Sequence, residues 1–195
     1  ELIKTVRCKE LYEAIDGHPD ILLHHLGGSR IVAAPNIYDE IVSVLSKKGF
    51  AVTKGSTLLV RNYPGNIAYN VLRIGNIAFH NTKYTDKTII REYEKLGIPV
   101  IHVNQGYTKC SVCVLSEKAA ITSDLKISKT LEKYGIEFLL IKPGGIFLRN
   151  MSYGFIGGAS GLLSPKCIAF SGSIEDLEDR HRISEFLHDR GFSIT

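Results

Sequence analysis

Nowhere in this chain is an apolar run long enough to cross a bilayer as a helix, and no segment is of low complexity. A helical membrane protein and a largely disordered chain are set aside. Lysine and arginine are dispersed, neither clustered nor interleaved with aromatics. The net charge of +4 and pI near 8.8 therefore describe a solvated surface with a small positive excess. Nucleic acid, the ribosome and a membrane are not expected partners; a small molecule is. No second cysteine pair accompanies Cys110 and Cys113, so a zinc site lacks ligands, and neither metal nor cofactor is expected. No secretory leader precedes the first apolar stretch, and the chain opens at Glu1 without methionine, which reads as truncation or processing. Cys8, Cys110, Cys113 and Cys167 sit in mostly apolar surroundings, and 195 residues can bury a core without disulfide staples. The expected location is the cytoplasm.

What is present is a repeat. Gly106-Tyr107-Thr108 opens a turn, and Cys110–Leu115 and Ala119–Thr122 read as two strands. Asp124 caps a helix with apolar Leu125, Ile127, Leu131 and Tyr134, which Gly135 stops in the left-handed conformation. Ile136–Ile141 then reads as a buried strand. The same order recurs along the chain. A hairpin from Asp20–His25 and Arg30–Ala34 is followed by a helix with the face Ile37, Ile41, Val44 and Leu45, then by Phe50–Thr53. A hairpin from Asn66–Leu72 and Ile77–Phe79 is followed by a helix over about Asp86–Leu96, then by Val100–Val103. The last hairpin, Phe155–Ser160 and Cys167–Phe170, is rich in glycine. Ser173-Ile174-Glu175-Asp176 is close to a capping box for a helix carrying Leu177, Ile183, Phe186 and Leu187.

Two registrations support the repeat. The helix exits read Gly49-Phe50-Ala51-Val52, Gly97-Ile98-Pro99-Val100, Gly135-Ile136-Glu137-Phe138 and Gly191-Phe192-Ser193-Ile194. On the entry side, Asp20 to Ile31, Asn66 to Ile77 and Lys109 to Ala120 span the same interval. Glu1-Leu2-Ile3-Lys4 resembles a further exit strand, so a hairpin and helix ahead of Glu1 would complete a fifth unit. The expected architecture is one α/β domain over residues 1–195, of ββαβ units at about 1–17 (partial), 18–61, 62–105, 106–150 and 151–195.

Strand alternation sorts the entry residues into two faces. Asp20 goes with His24, Asn66 with Asn70, and Lys109 with Ser111 and Cys113, making one face polar in three registered repeats. The other carries Ile21, Leu23, Ile67, Tyr69, Cys110 and Val112. Cys110 and Cys113, three apart on a strand, point to opposite faces and cannot share a metal. Cys113 alone is a candidate nucleophile, its thiolate favoured by the Lys109 ammonium, with a histidine to carry a proton. Glycines 157, 158 and 161 have neither P-loop lysine nor Rossmann spacing and mark a bulge or a close approach.

A ring of strand-strand-helix-strand units resembles the pentein, or guanidino-modifying-enzyme, fold, an α/β propeller about a pseudo-fivefold axis. Its members include arginine and agmatine deiminases, dimethylarginine hydrolase, amidinotransferases and a non-catalytic ribosome anti-association factor. More narrowly, His18-Pro19-Asp20, Gly106–Cys113 and Gly154–Gly161 are similar to a bacterial family of unknown function found in clostridia and relatives. The resemblance implies an axial site, on which Asp20, His24, Asn66, Asn70, Lys109, Ser111 and Cys113 would converge, with Cys110 beside them. These residues either bind a ligand or line a solvated channel. The activity implied is a small-molecule hydrolase, deiminase or amidinotransferase in which Cys113 attacks a C–N carbon with help from His18 or His24 and Asp20. Binding of the ribosome or of a small ligand, without catalysis, is the alternative. Catalytic penteins carry their cysteine in the last unit, where this chain has only Cys167, and Lys109 suits an anionic ligand.

Overall fold

The four repeats share one supersecondary unit, and three of their hairpins match down to the pairing of individual residues. The structure, a computed structural model, describes residues 3–195. The first repeat contains α1 (Pro19–Leu22), β1 (Leu23–Gly27), β2 (Arg30–Ala33), α2 (Tyr38–Ser46) and β3 (Ala51–Lys54). The second contains β4 (Leu72–Ile74), β5 (Ile77–His80), α3 (Lys87–Lys95) and β6 (Val100–His102). The third contains α4 (Thr108–Ser111), β7 (Val112–Ser116), β8 (Ala119–Thr122), α5 (Leu125–Lys133) and β9 (Glu137–Leu140). The fourth contains β10 (Ser160–Ser164), β11 (Cys167–Phe170), α6 (Arg180–His188) and β12 (Ser193–Ile194). Two compact units divide these elements: Glu1–Val71 with Ile77–Tyr107, and Leu72–Asn76 with Thr108–Thr195.

Three hairpins match pair for pair. Their antiparallel ladders open at Leu23–Ala33, Val112–Thr122 and Ser160–Phe170. They close at Gly27–Arg30, Ser116–Ala119 and Ser164–Cys167, with one irregularity just before each turn. A helix then returns the chain so that the exit strand pairs in parallel with the second hairpin strand, as a ββαβ connection requires. The nine-residue helices α2, α3, α5 and α6 end alike. Gly49, Gly97, Gly135 and Gly191 all have φ between 66° and 87°. The next amide reaches back to the last turn: Phe50 to Leu45, Ile98 to Tyr93, Ile136 to Leu131 and Phe192 to Leu187, at 2.9–3.1 Å. This is the Schellman closure, and it places the following apolar residue against the core.

Aspartates begin three of the helices. Asp124 Oδ1 accepts from the amides of Lys126 and Ile127 at 2.8 and 2.9 Å. Asp86 and Asp179 reach across a repeat boundary. Asp86 Oδ1 accepts from Thr88 N at 2.8 Å, while Oδ2 takes Ser56 N, Ser56 Oγ and Thr57 N from the loop after β3. Asp179 Oδ2 accepts from Lys142 N, the matching position after β9, at 2.6 Å. In the first unit α3 packs over β1; in the second, Cys113, Leu115 and Ile121 pack with Ile183, Leu187 and Phe192.

Several sequence expectations change. The entry segments are not strands throughout. Asp20–Leu22 and Cys110–Ser111 lie in the short helices α1 and α4, Asn66–Val71 is turn and irregular backbone, and Ile156–Ala159 is a turn. Strand alternation therefore cannot assign faces to Asp20, Asn66, Asn70, Lys109, Cys110 and Ser111, because a helical turn advances about 100° per residue instead of flipping. Register corrects one position. Ala78 pairs with Val100 as Ile31 pairs with Val52, and the entry interval counted back from Ala78 lands on Ile67, not Asn66. In the fourth repeat the equivalent of Asp20 and Lys109 is Gly157. The capping-box Ser173 begins a single 3-10 turn, Ile174–Asp176, and α6 starts only at Arg180, so Leu177 packs from outside the helix. Cys8–Ile15 forms isolated turns without a helix. Of the expected N-terminal exit strand, Glu1 and Leu2 lie outside the described residues, while Ile3 and Lys4 are not in a strand.

Candidate functional site

In the first unit, α1 is a single turn that proline starts at its first position, where no amide is needed. It places His18 and Asp20, both half-buried, immediately before β1. Asn70 Nδ2 donates to the Asp20 carbonyl at 2.9 Å, so the structure brings these two together through backbone. Asn66 is fully buried: its Nδ2 donates to Arg61 O at 3.1 Å, and its Oδ1 accepts from Tyr107 OH at 3.0 Å. His24 is buried with Nε2 2.5 Å from Tyr93 OH on α3. Buried amides must be bonded, and these are, so Asn66, Asn70 and His24 hold the fold together. His102 is exposed, with Nδ1 accepting from Thr82 N and Nε2 facing Asn104 Oδ1 at 3.2 Å.

His80 has no place in the sequence reading, although it closes β5 in an apolar run. It is fully buried, with Nε2 donating to Gly106 O at 2.9 Å and Nδ1 2.7 Å from Thr85 Oγ1. Burial pushes its pKa down to about 4, against the bonding to Gly106, so the ring is neutral at pH 7. The unfolded chain regains the ordinary value near 6.5 and protonates first as the solution is acidified. The stability contributed is complete above about pH 6.5 and is lost as pH falls towards 4, by about 3 kcal/mol for this shift. Urea titrations of the wild type at pH 7 and 4.5 should show this loss, and His80→Gln should flatten it.

In the second unit, Lys109 on α4 is half-buried and its Nζ donates to Gly157 O at 3.2 Å. Ser111 is buried, its carbonyl accepting from Thr122 Oγ1 at 2.8 Å, and the Cys110 carbonyl accepts from Gly158 N at 2.9 Å. The sharpest change concerns Cys113. Its thiol lies in the core, and burial pushes its pKa up to about 11, outweighing the Ser160 hydrogen bond and the Lys109 charge that favour the thiolate. The side chain that sequence reasoning offered as nucleophile is a protonated core residue. Iodoacetamide at pH 7.5 should label it at least about a hundredfold more slowly than an unhindered thiol and fully only after unfolding. Labelling at the rate of an exposed cysteine would contradict this.

Gly157 is the residue that the sequence marked as a close approach. A Cβ there would lie 2.2 Å from Val112 O and 2.4 Å from Lys109 O, so the turn before β10 rests directly on the backbone of α4 and β7.

Comparison with solved structures gives the class. Dimethylarginine dimethylaminohydrolase from Pseudomonas aeruginosa, as a cysteine-to-serine mutant with citrulline, matches at TM-score 0.57 and 12% identity over 92% of this chain and 68% of that one. The amidinotransferase SxtG of saxitoxin biosynthesis in Microseira wollei matches at TM-score 0.53 and 12% identity over 91% and 61%. Agmatine deiminase from C. jejuni matches at TM-score 0.50 and 10% identity over 85% and 59%. The chain thus spans roughly two thirds of the length of these enzymes. It has their pentein fold, an α/β propeller of repeated small sheets. No curated protein matches by sequence. The chain belongs to a family of unknown function, DUF6873, whose model matches residues 1–195.

Proposed function

We propose that this chain binds a small guanidino or ureido compound, with His18 and Asp20 making the polar contacts. One observation carries the reading. Asp20 and Lys109 occupy the same place ahead of identically paired hairpins and are half-exposed, whereas Asn66, Asn70, His24 and Ser111 are buried. An Asp carboxylate suits a guanidinium. The ligands named with the structural neighbours, citrulline and agmatine, support the ligand class.

The burial of Cys113 favours binding without chemistry at that thiol. The fold shared with a hydrolase, a deiminase and an amidinotransferase supports the other reading, an enzyme acting on a C–N bond. Calorimetric titration with citrulline, agmatine and arginine, followed by assay of each mixture for released amine, separates the two. Binding that Asp20→Asn weakens about tenfold, without turnover, is the expected result. Turnover would make it an enzyme, and no binding by any of the three would remove the ligand class. We place the protein in the cytoplasm. Its four cysteines form no disulfide, which supports a reducing compartment, and among the described residues no helix is long and apolar enough to cross a membrane.

A further inference from the structure

Three tyrosines of the first unit stand together. The Tyr12 hydroxyl lies 3.4 Å from that of Tyr107, Tyr107 OH lies 3.0 Å from Asn66 Oδ1, and the Tyr63 and Tyr107 rings meet at 5.9 Å, tilted by 44°. The direction of the protons follows from the buried end. Asn66 Nδ2 donates to Arg61 O, which fixes the amide and leaves Oδ1 as an acceptor. Tyr107 therefore donates its only hydroxyl proton to Asn66, and the proton between the two phenols belongs to Tyr12. The outer end of this chain, the Tyr12 oxygen, is left with lone pairs alone. Tyr63 is held without being covered. A Cβ on Gly106 would come within 2.9 Å of its Cε2, so the ring rests on backbone, yet Tyr63 is 54% exposed. Tyr12 and Tyr107 are half-buried.

The backbone ties this cluster to His18 and Asp20. Ile15 N donates to Tyr12 O and His18 N to Ile15 O, so consecutive turns run from the tyrosine to the histidine. Across from them Asn66 is bonded to Tyr107, while Asn70, one turn further on, is bonded to the Asp20 carbonyl. Segments 12–20 and 63–70 are thus laced at both ends. We propose that Tyr12, Tyr63 and Tyr107 form the specificity surface of the ligand site and take the cationic N–H end of the ligand. This surface narrows the ligand class proposed above, on which its assignment rests: a guanidinium is favoured over a urea. Both groups can donate an N–H to the Tyr12 oxygen. Only the cation is attracted by the negative faces of the phenol rings, on which a planar guanidinium also stacks. The chain running inward from Tyr12 has no proton to offer a carboxylate, so an anionic end gains nothing there.

Arginine and citrulline differ only in the charged nitrogen that replaces the urea oxygen, so the ratio of their dissociation constants isolates the charge. In calorimetric titrations the wild type should bind arginine more tightly than citrulline. Tyr63→Leu should weaken arginine about two- to fivefold, the effect of one exposed cation–π contact, and leave citrulline unchanged. Tyr63→Phe, which keeps an aromatic face, should retain the ratio. Tyr12→Phe removes the outer acceptor and should weaken both ligands alike. Asp20→Asn also lowers the ratio, so Tyr63→Leu is repeated in that background, where it should cost arginine the same factor. Circular dichroism checks that each variant is folded. Nuclear magnetic resonance with isotope-labelled tyrosine gives a second readout: arginine should move the Tyr63 ring signals, identified among the nine tyrosines by their loss in Tyr63→Phe. Arginine binding that Asp20→Asn weakens but Tyr63→Leu does not, with the Tyr63 signals unmoved, would overturn the tyrosine surface and leave the ligand class standing. No binding of arginine, citrulline or agmatine would remove the ligand class, and this surface with it.

Discussion

Asp86→Ala should cost about 4 to 5 kcal/mol of stability at pH 7, the largest loss expected from a single truncation in the first unit. The carboxylate is fully buried and accepts from three backbone amides, a serine hydroxyl and, at 3.3 Å, Tyr69 OH. Removing it strands the amides of Ser56, Thr57 and Thr88 away from water, at about 1 to 3 kcal/mol for each buried donor left unmade, with partial relief from relaxation. Burial alone would raise the pKa of Asp86, but the hydrogen bonds from Thr57, Ser56 and Thr88 outweigh it and the pKa is lowered. Its contribution is therefore intact above the unfolded value near 3.9 and disappears only as pH falls through the lower, folded one. Urea melts of Asp86→Ala and wild type should differ by the full amount at pH 7, and the gap should begin to narrow only below about pH 4. A loss under about 1 kcal/mol at pH 7 would show that water reaches the three amides.

Gly157→Ala should be nearly as damaging, at about 4 kcal/mol, although it deletes no atom. The added carbon would need to sit within 2.5 Å of two backbone carbonyl oxygens, Val112 O and Lys109 O. Neither neighbour is the end of a flexible side chain, so the turn must lift from α4 and β7, breaking the 2.9 Å bond from Gly158 N to Cys110 O. Overpacking of this kind commonly costs about 1 to 3 kcal/mol, and more when backbone has to move. Gly161→Ala, a few residues on, is the control. A Cβ there meets nothing within 4 Å, and the change should be neutral or stabilise by up to about 1 kcal/mol. Equal urea midpoints for the two variants would refute the argument.

What could be read from the sequence was decided by local signals. The four glycine stops are legible because a left-handed residue followed by an apolar one leaves little choice of chemistry, and all four close as Schellman turns. Asp124 was legible as a cap because it stands just ahead of an apolar-periodic run, whereas Asp86 was placed only near the start of its helix. The entry segments were not. Asp20-Ile21-Leu22-Leu23-His24 alternates no better as a strand than as a helical turn, and only the pairing of Leu23 with Ala33 shows where the ladder begins. The polar face read from alternation dissolved with it. Asn66 and Asn70 share one chemical type with ligand-binding amides, and nothing in their neighbours announces that Arg61, Tyr107 and Asp20 would claim them. Burial of Cys113 was likewise hidden, since the helix that covers that face comes from the next repeat.

The aspartates that join one repeat to the next set a limit on modularity. Asp86 caps its own helix while holding the loop that leaves the preceding repeat, and Asp179, which stands ahead of α6 without capping its amides, holds the loop after β9. A fragment cut at the glycine that ends each helix would carry an aspartate without its amides, or a loop without its acceptor. A repeat excised at either of these two boundaries is thus expected to lose stability. Residues swapped between repeats should be chosen so that each aspartate travels with the loop it grips.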